Sequence, residues 1–318
     1  MPDYLHNHKD FPALLRIVGQ EMDIIPGLVE KDYWIMHTLY GLKQQGYTFE
    51  LKGGTSLSKG YNFIHRFSED IDIHIKPPVE MGINENPKNN KAANIEKRKN
   101  FYDWLTADIN INGIVSVVRD HEFDDPQYYR SGGIRLKYNT ATEPVAGMKE
   151  GILLEAGFDT VTPNSSLTIS SWAYEKAVQS NVSIIDNRAI DVACYNPGYT
   201  LVEKLQTIAT KFRQEQEDNA GLEKQNLMRQ YYDVYCLLNE ASVQAFIGTE
   251  EYHIHKETRF PTKDFEIPIA KNEAFLLKDD KRRARFEERY KKTAALYYQG
   301  QPSFEEIVSR IKDWVEKL

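Results

Sequence analysis

The stretch Lys52–Lys76, KGGTSLSKGYNFIHRFSEDIDIHIK, decides how this chain is read. Its last seven residues, DIDIHIK, alternate with a period of two, which predicts a strand. Asp70, Asp72 and His74 share one face, and Ile71, Ile73 and Ile75 share the other. Two carboxylates projecting side by side repel each other, and burying them uncompensated is costly. A divalent cation removes that conflict. Mg²⁺ favours hard oxygen ligands and keeps positions open for substrate phosphates. A solvated strand edge is the plainer alternative, but it fits poorly with a row of isoleucines facing a core. The first half of the stretch predicts a strand, a Gly53-Gly54 turn and a short helix over Ser56–Phe63. The glycines let backbone N–H groups approach an anion, and Thr55 and Ser56 can cap the helix or bind a phosphate oxygen. Lys59, one helical turn after Thr55, can reach the same anion. Alone, Gly-Gly-Thr before a helix is most often an ordinary turn and cap. Followed by the aspartate pair, it points to metal-dependent phosphoryl or nucleotidyl transfer.

Upstream, Phe11, Leu14, Leu15 and Val18 recur at helical spacing, as do Trp34, Ile35, Thr38 and Leu42, with a break at Pro26-Gly27. Tyr47–Leu51 predicts the strand that enters the Gly-Gly turn. Downstream, Pro77–Asn90 reads as a loop or disordered insertion, followed by a helix over Ala92–Ile111. Strands are expected at Ile114–Arg119, Ser131–Tyr138, Gly151–Phe158 and Ala189–Cys194. Beyond Pro197-Gly198 the pattern turns helical, over Tyr199–Lys211, Leu222–Leu238, Lys278–Tyr298 and Ser303–Leu318. The expectation is an α/β (α+β) chain with a mixed sheet in residues 1–195 and a mostly helical domain in residues 196–318.

The 318 residues carry 40 Lys+Arg against 47 Asp+Glu, a net charge of −7. That balance argues against a protein that coats nucleic acid along its whole surface. Two local basic runs, Asn84–Asn100 and Lys278–Lys292, can still hold RNA by its phosphates, with Tyr290, Tyr297 and Tyr298 offered for stacking. The plainer reading of both runs is a solvated helix face. Cys194 and Cys236 are too few for a disulfide framework or a cysteine-built zinc site. His253 and His255, two apart and without further ligands nearby, fit a surface loop better than a metal site. No apolar run is long enough to span a membrane, and MPDYLHNHKD lacks the pattern of a secretory leader, so the expected location is cytoplasmic.

The segment GGTSLSKGYNFIHRFSEDIDIHI resembles the polymerase-β-type nucleotidyltransferase superfamily, with its Gly-Gly/Ser turn and two-residue-spaced acidic pair on the next strand. More closely, it is similar to the AbiEii/AbiGii toxin family, including MenT-type toxins, which typically show GGT-x-L-x-K followed by R-F-S-x-D-I-D. VEKDYW (Val29–Trp34), LVEKL around Lys204 and RQYYDVYCLL around Asp233 extend the likeness along the chain. The resemblance implies that Lys204 reaches the nucleotide and that Asp233 lines the active site. On their own, Lys204 is a solvated helix lysine, and Arg229 with Asp233 forms an i,i+4 ion pair. Gln230 departs from the acidic residue common after the arginine. A third carboxylate from another strand completes sites of this type, and Glu155 in ILLEAGF is the candidate. Asp159 competes with it, and a plain pairing of Glu155 with Arg135 or Lys137 is the structural alternative.

The resemblance thus implies an Mg²⁺-dependent nucleotidyltransferase, the toxin of a type IV toxin–antitoxin or abortive-infection system. Asp70, Asp72 and Glu155 would be metal ligands, and Gly53, Gly54, Thr55, Ser56 and Lys59 would bind the phosphates of a nucleoside triphosphate. Lys204 and Asp233 would complete the catalytic set. The implied acceptor is RNA, with the tRNA 3′ end as one form, and the implied partner is a cognate antitoxin protein. Two alternatives stay open: transfer to a protein or small-molecule acceptor, and a non-catalytic module that binds nucleotide or antitoxin.

Overall fold

In the computed structural model, which describes residues 2–145, 148, 150–217, 223–224 and 226–318, the isoleucine row of Asp70–Ile75 lies at the centre of a sheet. Ile71, Ile73 and Ile75 are at most 1% exposed, while Asp70, Asp72 and His74 between them are half-buried. Among the described residues seven strands form one mixed sheet. They are β1 (Phe49–Lys52), β2 (Asp70–Ile75), β3 (Ile114–Arg119), β4 (Ser131–Tyr138), β5 (Ile152–Gly157), β6 (Asn164–Ile169) and β7 (Ala189–Tyr195), in the order β3-β4-β5-β2-β1-β7-β6. β2 pairs antiparallel with β1 and parallel with β5, and β1 pairs parallel with β7. The outer pairs β3–β4, β4–β5 and β6–β7 are antiparallel. β3 and β4 form over the very residues expected, and the other expected strands shift by one or two residues at their ends.

The chain divides into two compact units, Met1–Asn62 with Phe67–Tyr195, and Phe63–Arg66 with Asn196–Leu318. In the first, helices α1 (Phe11–Met22) and α2 (Pro26–Gln44) pack on each other. Pro26 takes the first turn of α2, where its missing N–H is no loss. α2 is buried on every side from Gly27 to Leu39, so its run Glu30-Lys31-Asp32 lies in the interior. Charges there need partners. Helix α3 (Ala92–Asp108) lies against β3 and β4, with Tyr102 packed beside Gly132.

β6 and helix α4 (Trp172–Gln179) are elements that the pattern does not predict. NSSLTI is an edge strand exposed over its first three residues, so no alternation of apolar and polar residues marks it. The loop Pro77–Asn90 is tied down. Lys97 Nζ donates to the Gly82 carbonyl at 2.8 Å, Arg98 Nη2 to that of Asn86 at 2.6 Å, and Arg130 Nε to that of Pro87 at 3.0 Å.

The second unit contains α5 (Pro197–Glu217), α6 (Leu227–Leu237), α7 (Glu250–Arg259), α8 (Asp280–Lys291) and α9 (Phe304–Lys312), with shorter turns between them. A capping box of Ser303 and Glu306 starts α9, and the Asp279 side chain caps α8. Three expectations are corrected here. His253 and His255 lie on α7 rather than in a loop. The helix expected over Leu222–Leu238 is α6, and its expected first residue lies outside the described residues. Tyr290 and Tyr297 are not open for stacking on RNA: they are 1% and 7% exposed and pack on each other, because this stretch supplies the unit's own core. Among the described residues no helix is long and apolar enough to cross a membrane.

Ile73→Ala is expected to cost about 2–5 kcal/mol, the price of a cavity at the sheet centre. Val79→Ala, at a side chain 93% exposed, should stay within about 0.5 kcal/mol. Urea denaturation midpoints of the two variants check the contrast.

Candidate active site

The sheet register builds the acidic face. Asp72 is directly opposite Glu155 on the parallel strand β5 and opposite Lys52 on β1, so these side chains share a face. Asp70 and His74 lie two residues to either side of Asp72 on that face. Arg135, one partner offered for Glu155 by the sequence, donates to Asp120, from Nε at 3.0 Å and from Nη2 at 2.5 Å. Asp159, the competitor for the third carboxylate, accepts from Lys52 Nζ at 2.9 Å.

The Gly-Gly turn fits against this row. Gly53 has φ +72°, a left-handed conformation that favours glycine. A Cβ there would stand 2.1 Å from Asp72 Oδ2, so the carboxylate occupies the space where a side chain would be. Two hydroxyls expected to bind phosphate are enclosed here. Thr55 is 1% exposed, and its hydroxyl donates to the Asp70 carbonyl at 2.5 Å, fixing the start of β2. Ser56 is fully buried. Lys59 donates to Asp32 Oδ1 at 2.7 Å and lies over the Trp172 ring at 4.7 Å.

The interior charges of α2 are a part of the site that the motif reading left unassigned. Glu30 accepts from Ala141 N at 2.7 Å and from Thr142 Oγ1 at 2.5 Å, anchoring the loop after β4. Asp32 accepts from Trp172 N at 2.8 Å as well as from Lys59. Burial pushes the Asp32 carboxyl above its usual range, against the pull of Lys59 and the Trp172 N–H. Lys31 is buried, and its electrostatic neighbours are Glu69, Asp70 and Arg135. Burial draws its ammonium below the usual lysine range, opposed by the two acids. Three consecutive charges inside a helix flanked by apolar residues were the available signal.

Within the second unit, Asp233 on α6 is fully buried between two cations. Arg66 Nε and Nη2 donate to its two oxygens at 2.6 and 2.7 Å, and Lys204 Nζ lies 2.9 Å from Oδ2. Burial works against the carboxylate, but Arg66 and Lys204 overcome it and hold Asp233 below the usual carboxylate range. The arginine of the R-F-S-x-D pattern, not itself singled out from the sequence, is thus the bidentate partner of Asp233.

As a donor set, Asp70, Asp72 and Glu155 offer the hard oxygens that Mg²⁺ prefers, on adjacent strands and one face. As the side chains stand, no group of three His, Cys, Asp or Glu among the described residues is gathered closely enough to hold an ion. Backbone register supplies the donors, and convergence on a cation falls to the side-chain torsions.

Two outcomes follow from this geometry. Gly53→Ala should displace the Asp72 carboxylate and lower transferase activity at least tenfold, at a stability cost of about 1 kcal/mol or somewhat more. Asp233→Asn should cost about 3–5 kcal/mol at neutral pH, because two buried cations lose their counter-charge. A carboxyl with a depressed folded pKa stabilises above its unfolded value of ~3.9, and that contribution is lost as pH falls through the folded value. The stability gap between wild type and Asp233→Asn should therefore be level from pH 7 to about 5 and close below about 4. Denaturant melts across that range measure it.

A family model described as nucleotidyl transferase AbiEii toxin, type IV TA system, matches residues 37–310, spanning the sheet and most of the helical unit. VEKDYW lies just before the matched region. Among curated proteins, none matches the chain. The Gly-Gly turn seated on Asp72, the carboxylates aligned across β2 and β5, and a family match over most of the chain lead to one assignment: this chain belongs to the AbiEii family of nucleotidyl transferase toxins of type IV toxin–antitoxin systems, and it is a nucleotidyltransferase.

Proposed function

We propose that the chain transfers a nucleoside monophosphate from a nucleoside triphosphate to an RNA acceptor, in an Mg²⁺-dependent reaction, and that a cognate antitoxin protein is its partner. The observation that carries this reading is the register that sets Asp72 opposite Glu155, with Asp70 two residues before it on the same face. In this reading residues 1–195 are the transferase domain and residues 196–318 the helical domain.

Mg²⁺ bound by Asp70, Asp72 and Glu155 would neutralise triphosphate charge and help activate the attacking hydroxyl. The backbone of Gly53-Gly54 receives a phosphate, a role to which glycine's lack of a side chain is suited. Glu155 takes the proton of the acceptor hydroxyl. A bond forms between that oxygen and the α-phosphorus as the bond to the leaving pyrophosphate breaks. Lys31, buried among Glu69 and Asp70, offsets the repulsion of the acidic row. In the helical unit Asp233 is a positioning residue, since it is fully buried and grips Lys204 and Arg66. Lys204 retains a partly exposed ammonium for a polyanionic substrate.

Incubation with each labelled nucleoside triphosphate and total RNA tests the reading. Label is expected in the RNA, dependent on Mg²⁺, and reduced about a hundredfold or more in Asp70→Asn and Asp72→Asn. Label arriving on protein instead of RNA would overturn the acceptor. Undiminished transfer in both variants would overturn the site.

A further inference from the structure

Helix α6 has two working faces. Asp233 points to Arg66 and Lys204, while Tyr232, Tyr235 and Cys236, with Asn239 just beyond the helix end, recur at i, i+3, i+4 and i+7. That second stripe forms one wall of a cleft of about 490 Å³ in the helical unit, closed by the chain at Phe63–His65 and by the loop Gln299–Pro302. The volume suits a small molecule.

The lining has a definite chemistry. Tyr232 is held in place, since its hydroxyl accepts from His65 N at 3.2 Å and its ring meets the Tyr297 edge at 4.6 Å. Gln301 is anchored by donation to the Tyr290 carbonyl at 2.9 Å. Phe63 and Tyr235 are half-buried aromatic walls, and Asn239 and Gln299 present amides at the rim. The buried His65 Nδ1 has no hydrogen-bond partner among the described residues. Among the described residues no Lys or Arg lines the cleft, and Glu240 is the one carboxylate there.

Aromatic faces stack on flat rings, and side-chain amides pair with the donor–acceptor edges of such rings. With no cation among its described lining residues, and with a glutamate present, the cleft repels a phosphate. We infer that this cleft of the helical unit, whose described lining does not include Asp70 or Asp72, binds an uncharged, planar nitrogen heterocycle, the nucleobase of a nucleoside. The site requires no transfer chemistry. In the proposed reaction it would receive a base of the acceptor, and to that extent it deepens that reading.

Calorimetric titration of the full chain with adenosine, guanosine, cytidine and uridine, and with ribose 5-phosphate as a base-free control, tests the inference. At least one nucleoside should bind saturably, and ribose 5-phosphate should not compete with it. Asn239→Ala, at an exposed side chain that leaves folding intact, and Tyr235→Ala should each weaken binding tenfold or more. Asp70→Asn should leave it unchanged while losing transfer, so the two readings can fail separately. No saturable nucleoside, competition by ribose 5-phosphate, or binding lost in Asp70→Asn but retained in Asn239→Ala would each overturn the site.

Discussion

Like charges on one face of a central strand are the constraint around which the first unit is arranged. β2 cannot turn its aspartates away from each other, because the same strand buries Ile71, Ile73 and Ile75 completely on its other side. A one-residue slip of register would exchange the two faces. The acids therefore stay aligned, and neighbouring elements adapt to them. Gly53 leaves its side-chain space to Asp72, Thr55 pins the Asp70 carbonyl, and the parallel pairing with β5 adds Glu155 to the row.

The same economy appears in the buried charges of α2 and α6. Each sits where an isolated charge would be prohibitive, and each is answered by a named partner: Glu30 by the Ala141 amide and Thr142, Asp32 by Lys59 and the Trp172 amide, Asp233 by Arg66 and Lys204. Pairs of this kind contribute little net stability over apolar packing, yet breaking one is costly. Their effect is to fix orientation. Lys59 and Lys204, read from the motifs as direct ligands of substrate, are oriented by the buried carboxylates of Asp32 and Asp233.

Much of the sheet is legible in the sequence, since β3 and β4 form over the residues expected and β2 is the clearest strand in the chain. β6 is not, because an edge strand with a mostly solvent-exposed surface needs no apolar row. Tyr290 and Tyr297 mislead for the opposite reason. A basic run reads as a surface, but the helix α8 that carries it also buries Phe286, Arg289 and Tyr290. Mean charge over a segment cannot tell which side chains face inward when arginine stems and aromatic rings share a helix.

By itself the sequence determines what is local and periodic. The spacing of Asp70 and Asp72, the Gly-Gly turn before them and the alternation of strands follow from stereochemistry within a few residues, and they point to the family. The tertiary structure alone decides which distant groups meet. Arg66 and Asp233 are far apart in the chain, as are Lys59 and Asp32, and no pattern of period two or 3.6 couples them. Those pairings arise because a charge removed from water must find its counterpart wherever packing brings one. For the same reason the sequence marks the aligned carboxylates, and only the fold reveals what holds them and their neighbours in place.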